Sequence, residues 1–148
     1  MAKSIEVRGD KRAQANLAKF ADKLANPLIA NKAVAVQLYS WTIRNFDAEG
    51  AEQSPPWPRL AERTIERKRR IGKERMLVIS GQLRASLLPF WTRENAGIGS
   101  QLSYARYHEE GTATLPQRKL LPTRELVSST GLRIYNHYVG TAARQANV

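Results

Sequence analysis

Between Pro27 and Gly50 the chain runs without a glycine or a proline. At about 100° per residue, a helix from about Leu28 to Ala48 spreads its apolar side chains very widely. Val34, Val36, Leu38, Tyr39, Trp41, Ile43 and Phe46 cover more than half of its circumference. The polar stripe left over is narrow: Gln37, Ser40, Arg44 and Asp47. A helix apolar on so many sides has to be buried on several of them. It is either the central helix of a domain or a helix partly covered by another subunit.

The flanking segments supply what such a helix packs against. Ser4–Arg8 reads as a short strand that turns at Gly9-Asp10. Asp10 can then cap a helix running to about Asn26, where Asn26-Pro27 breaks it. In that helix Leu17, Phe20, Ala21 and Leu24 share one face, with Arg12, Lys19 and Lys23 opposite. Residues 49–60 form a loop punctuated by Gly50 and by Pro55-Pro56-Trp57-Pro58. Trp57 has no aromatic sequence neighbour and is expected to cover the edge of the core rather than stack on a base. Ala61–Ile71 is expected to be helical. Ser80 is expected to cap a short helix over Gln82–Leu87. Leu88–Arg93 and Ile98–Leu102 read as two strands around the turn Glu94-Asn95-Ala96-Gly97. Tyr104–Glu110 is a short helix stopped by Gly111. Residues 112–123 are extended, with Pro116 and Pro122. A last helix covers Leu132–Arg144, with Ile134, Tyr135, Tyr138 and Val139 on its inner side. The predicted class is α+β: two or more long helices packed on a small, largely antiparallel sheet in a single domain of 148 residues.

Net charge narrows the function classes. The formal charge is +11, which favours a polyanion or an acidic protein as partner. Positions 59–75 concentrate it. Eight basic residues (Arg59, Arg63, Arg67, Lys68, Arg69, Arg70, Lys73 and Arg75) stand there against Glu62, Glu66 and Glu74. Arg67-Lys68-Arg69-Arg70 is a block of like charge that repels itself by a few tenths of a kcal/mol per pair, roughly. Its apolar periodicity is poor, so the segment is expected to project and to face a partner or DNA. The ordinary alternative is a solvated surface helix.

Catalytic signals are weak. The chain has no cysteine, which removes disulfides and thiolate chemistry and suits folding in a reducing cytoplasm. Its two histidines, His108 and His137, do not make a persuasive metal site. Glu109 and Glu110 adjoin His108, but consecutive helical residues point in different directions. Gly72-Lys73 matches the end of a phosphate loop, yet Arg67 and Glu74 stand where glycine and Ser or Thr are required. No catalytic, cofactor-binding or metal-ligating residue is predicted. No apolar run approaches the roughly 20 residues of a membrane span, and the first residues lack the apolar core of a signal peptide.

The middle of the chain carries an ordered set of motifs. Trp57-Pro58-Arg59-Leu60 precedes a basic helix that begins at Thr64 and ends Lys68-Arg69-Arg70-Ile71-Gly72. An apolar run, Met76-Leu77-Val78-Ile79, enters Ser80-Gly81-Gln82-Leu83-Arg84-Ala85-Ser86. A hairpin leads through Gly99-Ser100 to Tyr104-Ala105 and His108-Glu109-Glu110-Gly111-Thr112, then to Pro116-Gln117-Arg118-Lys119-Leu120-Leu121-Pro122. In this order the set resembles the phage virion-morphogenesis, or tail-completion, family of small head–tail joining proteins. Ser80, Glu109 and Leu120 depart from that pattern, where Thr, Gln and an aromatic residue are usual.

The resemblance implies a virion structural protein that forms a homo-oligomeric ring at the neck or the head-proximal tail end. It is then made in the host cytoplasm and docks onto neighbouring connector, portal-side or tail-terminator proteins. It implies no cofactor and no turnover. A basic ring around the DNA path can also touch duplex DNA without reading its sequence. Within this picture Gly111, Thr112, Pro116, Arg118, Leu120, Leu121 and Pro122 belong to an extended inter-subunit arm. Two other readings compete: a sequence-independent nucleic-acid-binding protein acting as monomer or dimer, and a small hydrolase built on His108 with Glu109 or Glu110.

Overall fold

A computed structural model describes residues 11–147. The expected strand over Ser4–Arg8 and the Asp10 cap lie outside the described residues. Six helices and one hairpin follow in order: α1 Lys11–Leu24, α2 Leu28–Asp47, α3 Glu62–Arg70, α4 Gln82–Ser86, β1 Leu87–Trp91, β2 Ala96–Ser100, α5 Ala105–Glu110 and α6 Arg124–Ala146. The class is the expected one, a single α+β domain with a two-stranded antiparallel sheet.

α2 is the central helix, as its broad apolar arc requires. It packs against both strands on one side and against α6 on the other. Val34, Leu38, Trp41 and Phe46 are buried, together with the small Ala30, Ala35 and Thr42. Val36 departs from the expected arc and is 45% exposed. One polar residue ties the layers together. The Asn31 side-chain amide donates to the carbonyls of Thr92 (2.8 Å) and Arg93 (3.1 Å), while its oxygen accepts from the Tyr135 hydroxyl. Turn, central helix and α6 are thereby joined at a single side chain.

α1 packs on α6 and buries no residue completely. Of its expected apolar face, Phe20 and Leu24 are half-buried but Leu17 remains 55% exposed. Lys23, expected on the wet side, is half-buried and donates to Gln145 Oε1.

A second core gathers the loops. Phe46, Trp57, Leu83, Leu87, Ala105 and Leu120 cluster, and Met76, Leu77, Ile98, Leu102 and Leu121 pack against them. Trp57 meets Phe46 edge-on at 5.3 Å between ring centroids, a favoured aromatic geometry. Its indole Nε1 donates to the Lys119 carbonyl at 2.7 Å. Gly50, at φ +84°, lies under this ring, where an added Cβ would sit 2.1 Å from Trp57 Cγ. Trp57 thus covers core as expected.

Three boundaries moved. The strands start and end earlier than expected because Thr92 closes the turn: its hydroxyl accepts from the Glu94 and Asn95 amides. α4 is capped at Gly81 in a left-handed conformation rather than at Ser80, whose hydroxyl still accepts weakly from Gln82 N at 3.4 Å. α6 begins at Arg124, eight residues before the expected Leu132. Thr123 accepts from Leu126 N, Glu125 occupies the first turn and Thr130 is buried. Capping and packing on α2 outweigh the low helix propensity of Ser128-Ser129-Thr130-Gly131. Val139, expected inside, is 40% exposed.

Candidate partner-docking site

The basic segment folds as the short helix α3 between two loops. Glu62 in its first turn and Arg67 to Arg70 in its last match the sign of the helix dipole at each end. Its cations do not share one environment. Arg63, Arg67, Arg69, Arg70 and Lys73 are exposed. Arg59 pairs with Glu62 at 3.4 Å, and Arg75 with Asp47 at 3.2 Å. Lys68 corrects the expectation of a uniformly outward-facing block: it is 3% exposed. Its Nζ donates to the Val78 carbonyl at 2.8 Å and clips α3 onto the loop before α4. Burial, with Arg67 adding to it, pushes the Lys68 ammonium below its usual range, and Glu49 opposes the shift. The apolar stem of the lysine lets a charged position in a polar run serve the interior.

Asp47, at the end of α2, gathers Arg84 (3.0 Å) and Arg75 (3.2 Å). The Arg84 hydrogen bond, joined by that of Arg75, holds the carboxyl below the ordinary range against the opposing effect of desolvation. These contacts fix the loop after α3, and α4, to the central helix.

The segment 111–122 is not a free arm. Arg118 and Leu120 are 3% and 1% exposed, so both are packed within their own chain. The Arg118 guanidinium donates to the Pro58 carbonyl at 3.1 and 2.9 Å, and its backbone amide donates to His108 O. The Glu109 carboxylate accepts from the amides of Leu120 (2.6 Å) and Leu121 (3.1 Å). Gln117 donates to the Glu109 carbonyl. The extended chain is therefore stapled along α5, and only the turn Thr112–Leu115, with Pro116, protrudes. Gly111 permits that path: it has φ +74°, and an added Cβ would meet Gln117 N at 3.0 Å.

The same contacts separate the residues weighed for catalysis. Glu109 is spent on backbone amides and Glu110 on Arg106 at 2.9 Å. His108 is half-buried, with Nδ1 enclosed and without a hydrogen-bond partner. Burial first, and Arg118 second, pushes its imidazole below the usual value. Among the described residues no group of His, Cys, Asp and Glu is arranged to hold a metal ion.

α3, the loop 77–83 and the segment 114–118 together enclose an open groove of about 710 Å³. Arg67, Lys68, His108 and Arg118 line it, with Leu60, Leu77, Ile79 and Leu115. The two segments singled out by sequence, basic helix and extended arm, are two of its three walls. The apolar lining was not singled out, since a groove is a property of the pairing of distant loops.

The model of the phage virion morphogenesis family matches residues 9–145. The chain belongs to the phage virion morphogenesis family. Comparison with curated proteins and with solved structures returned no match. Membership in a structural and assembly family gives the protein a role in building the phage virion. No helix among the described residues is long and apolar enough to cross a membrane.

Proposed function

We propose that this protein closes into a homo-oligomeric ring at the head–tail neck or the head-proximal end of the tail, and joins head to tail by docking on neighbouring rings. It does so without a cofactor or a catalysed reaction. The observation that carries the reading, beyond the family, is the outer face of the hairpin. Leu88 and Phe90 stand there 54% and 49% exposed, opposite Gly99 and Gly97. The Phe90 ring lies over Gly97, where an added Cβ would meet it at 2.9 Å, so the face is flat as well as apolar. Among the described residues β1 and β2 have no third strand. An unpaired, apolar two-stranded sheet invites a neighbour, and a second copy in a ring supplies one.

The competing reading, sequence-independent nucleic-acid binding, is favoured by the +11 charge and the exposed arginines of α3. Replacing Arg67, Arg69 and Arg70 with glutamine, while sparing the buried Lys68, separates the two. Unjoined heads and tails are the outcome expected of a protein-facing α3. Joined particles that lose or misplace their DNA would place α3 against the duplex. Fully infectious particles would return α3 to a solvated surface helix.

A further inference from the structure

The groove between α3 and residues 114–118 has a one-sided chemistry. Arg67, Lys68 and Arg118 line it together with Arg59, and no Asp or Glu does. Arg59 is partly offset by Glu62 at 3.4 Å, outside the groove. Arg67 is exposed, whereas Lys68 and Arg118 are buried among their carbonyl partners. His108 adds an enclosed ring nitrogen without a partner. Between these groups lie Leu60, Leu77 and Leu115, half-buried, and Ile79, 51% exposed. A site that is positive at its polar groups and apolar elsewhere fits a ligand that is both anionic and apolar. Nucleic acid offers the anion, but its bases would find a single phenol ring, Tyr104, in a lining whose apolar part is otherwise aliphatic. A second copy is also a poor fit, because at a formal charge of +11 it brings net repulsion to a groove lined only by cations among its charged groups.

We propose that this groove receives an acidic peptide segment carrying apolar side chains, supplied by another virion protein. The carboxylates of the segment meet the exposed Arg67, the buried Lys68 and Arg118 add positive field behind it, and the apolar residues of the segment cover Ile79 and Leu115. That the donor is a virion protein rests on the proposed joining role; the chemistry of the groove does not.

The test is a selection from a random-peptide library on the immobilised full-length chain, followed by binding of synthetic copies of the enriched sequences. Enriched peptides should combine Asp or Glu with aliphatic or aromatic residues. Arg67→Glu should weaken their binding by about tenfold or more. Arg70→Glu makes the same charge change outside the groove and should leave binding within about twofold. Circular dichroism and thermal melting establish that both variants fold. Neutral or basic enriched sequences, no enrichment, or equal weakening by the two variants would overturn the proposal. So would a short duplex DNA that binds in place of the peptides with the same dependence on Arg67. The selection needs no particle, so its failure leaves the joining role standing. A chain missing from the neck would leave the peptide preference untouched.

Discussion

Trp41 and Phe46 hold α2 to its two surroundings. Trp41 is 8% exposed beside Leu126 and Thr130 of α6, and Phe46 is 1% exposed against Trp57. Trp41→Ala should cost about 3–5 kcal/mol, the range for emptying a buried aromatic site, as measured by denaturant unfolding; an unchanged midpoint would contradict the burial. Both residues were legible from the helical arc. His108 was legible only as a chemical possibility, because its enclosure depends on Arg118, ten positions away. Its lowered pKa has a stability consequence. Protonation favours the unfolded chain, so its stabilising contribution is complete above the ordinary value of 6.5 and fades as pH falls through the lowered folded value. The thermal midpoint should therefore drop between roughly pH 7.5 and pH 5.5, and His108→Gln should flatten that drop. An identical slope in the variant would show that the histidine is not the group responsible.

At the scale of elements, long helices declared themselves through periodicity, while loops with tertiary anchors did not. α2 needed only its own pattern. The first two turns of α6 did not show, because Ser128-Ser129-Thr130-Gly131 is a weak helix former that packing on α2 and the Thr123 cap recruit. The basic character of α3 was plain, but nothing in four consecutive cations marks which one reaches inward. Lys68→Ala should destabilise the protein by about 1–3 kcal/mol, since it strands the Val78 carbonyl and removes a packed stem. The glutamine variant at Arg67, Arg69 and Arg70 should stay within about 0.5 kcal/mol per site of the parent. Equal losses in chemical denaturation would mean that Lys68 is no different from its neighbours. The stretch 111–122 was extended as expected, but an extended segment can be stapled as well as free. Deleting it removes Arg118 and Leu120 from the interior, and the truncated chain should fail to give a cooperative melt. A folded truncated monomer would restore the free arm.

For the whole molecule, positive charge and exposed apolar surface have different jobs in the proposed ring. The hairpin face of Leu88 and Phe90 serves self-association, and the α3 groove serves a partner of opposite charge. Leu88→Asp with Phe90→Asp should leave a stable monomer, because neither side chain is buried, and should abolish incorporation into particles. Normal incorporation would remove the hairpin from the interface. A monomer of the parent chain in solution is compatible with the ring, which can close on an assembled neighbour. The direct measurement is a reconstruction of the virion neck and head-proximal tail by electron microscopy. It should show this α+β fold, with its central α2 and two-stranded hairpin, repeated around the tail axis where head meets tail. Complete, joined particles with no copy of the fold at either place would contradict it.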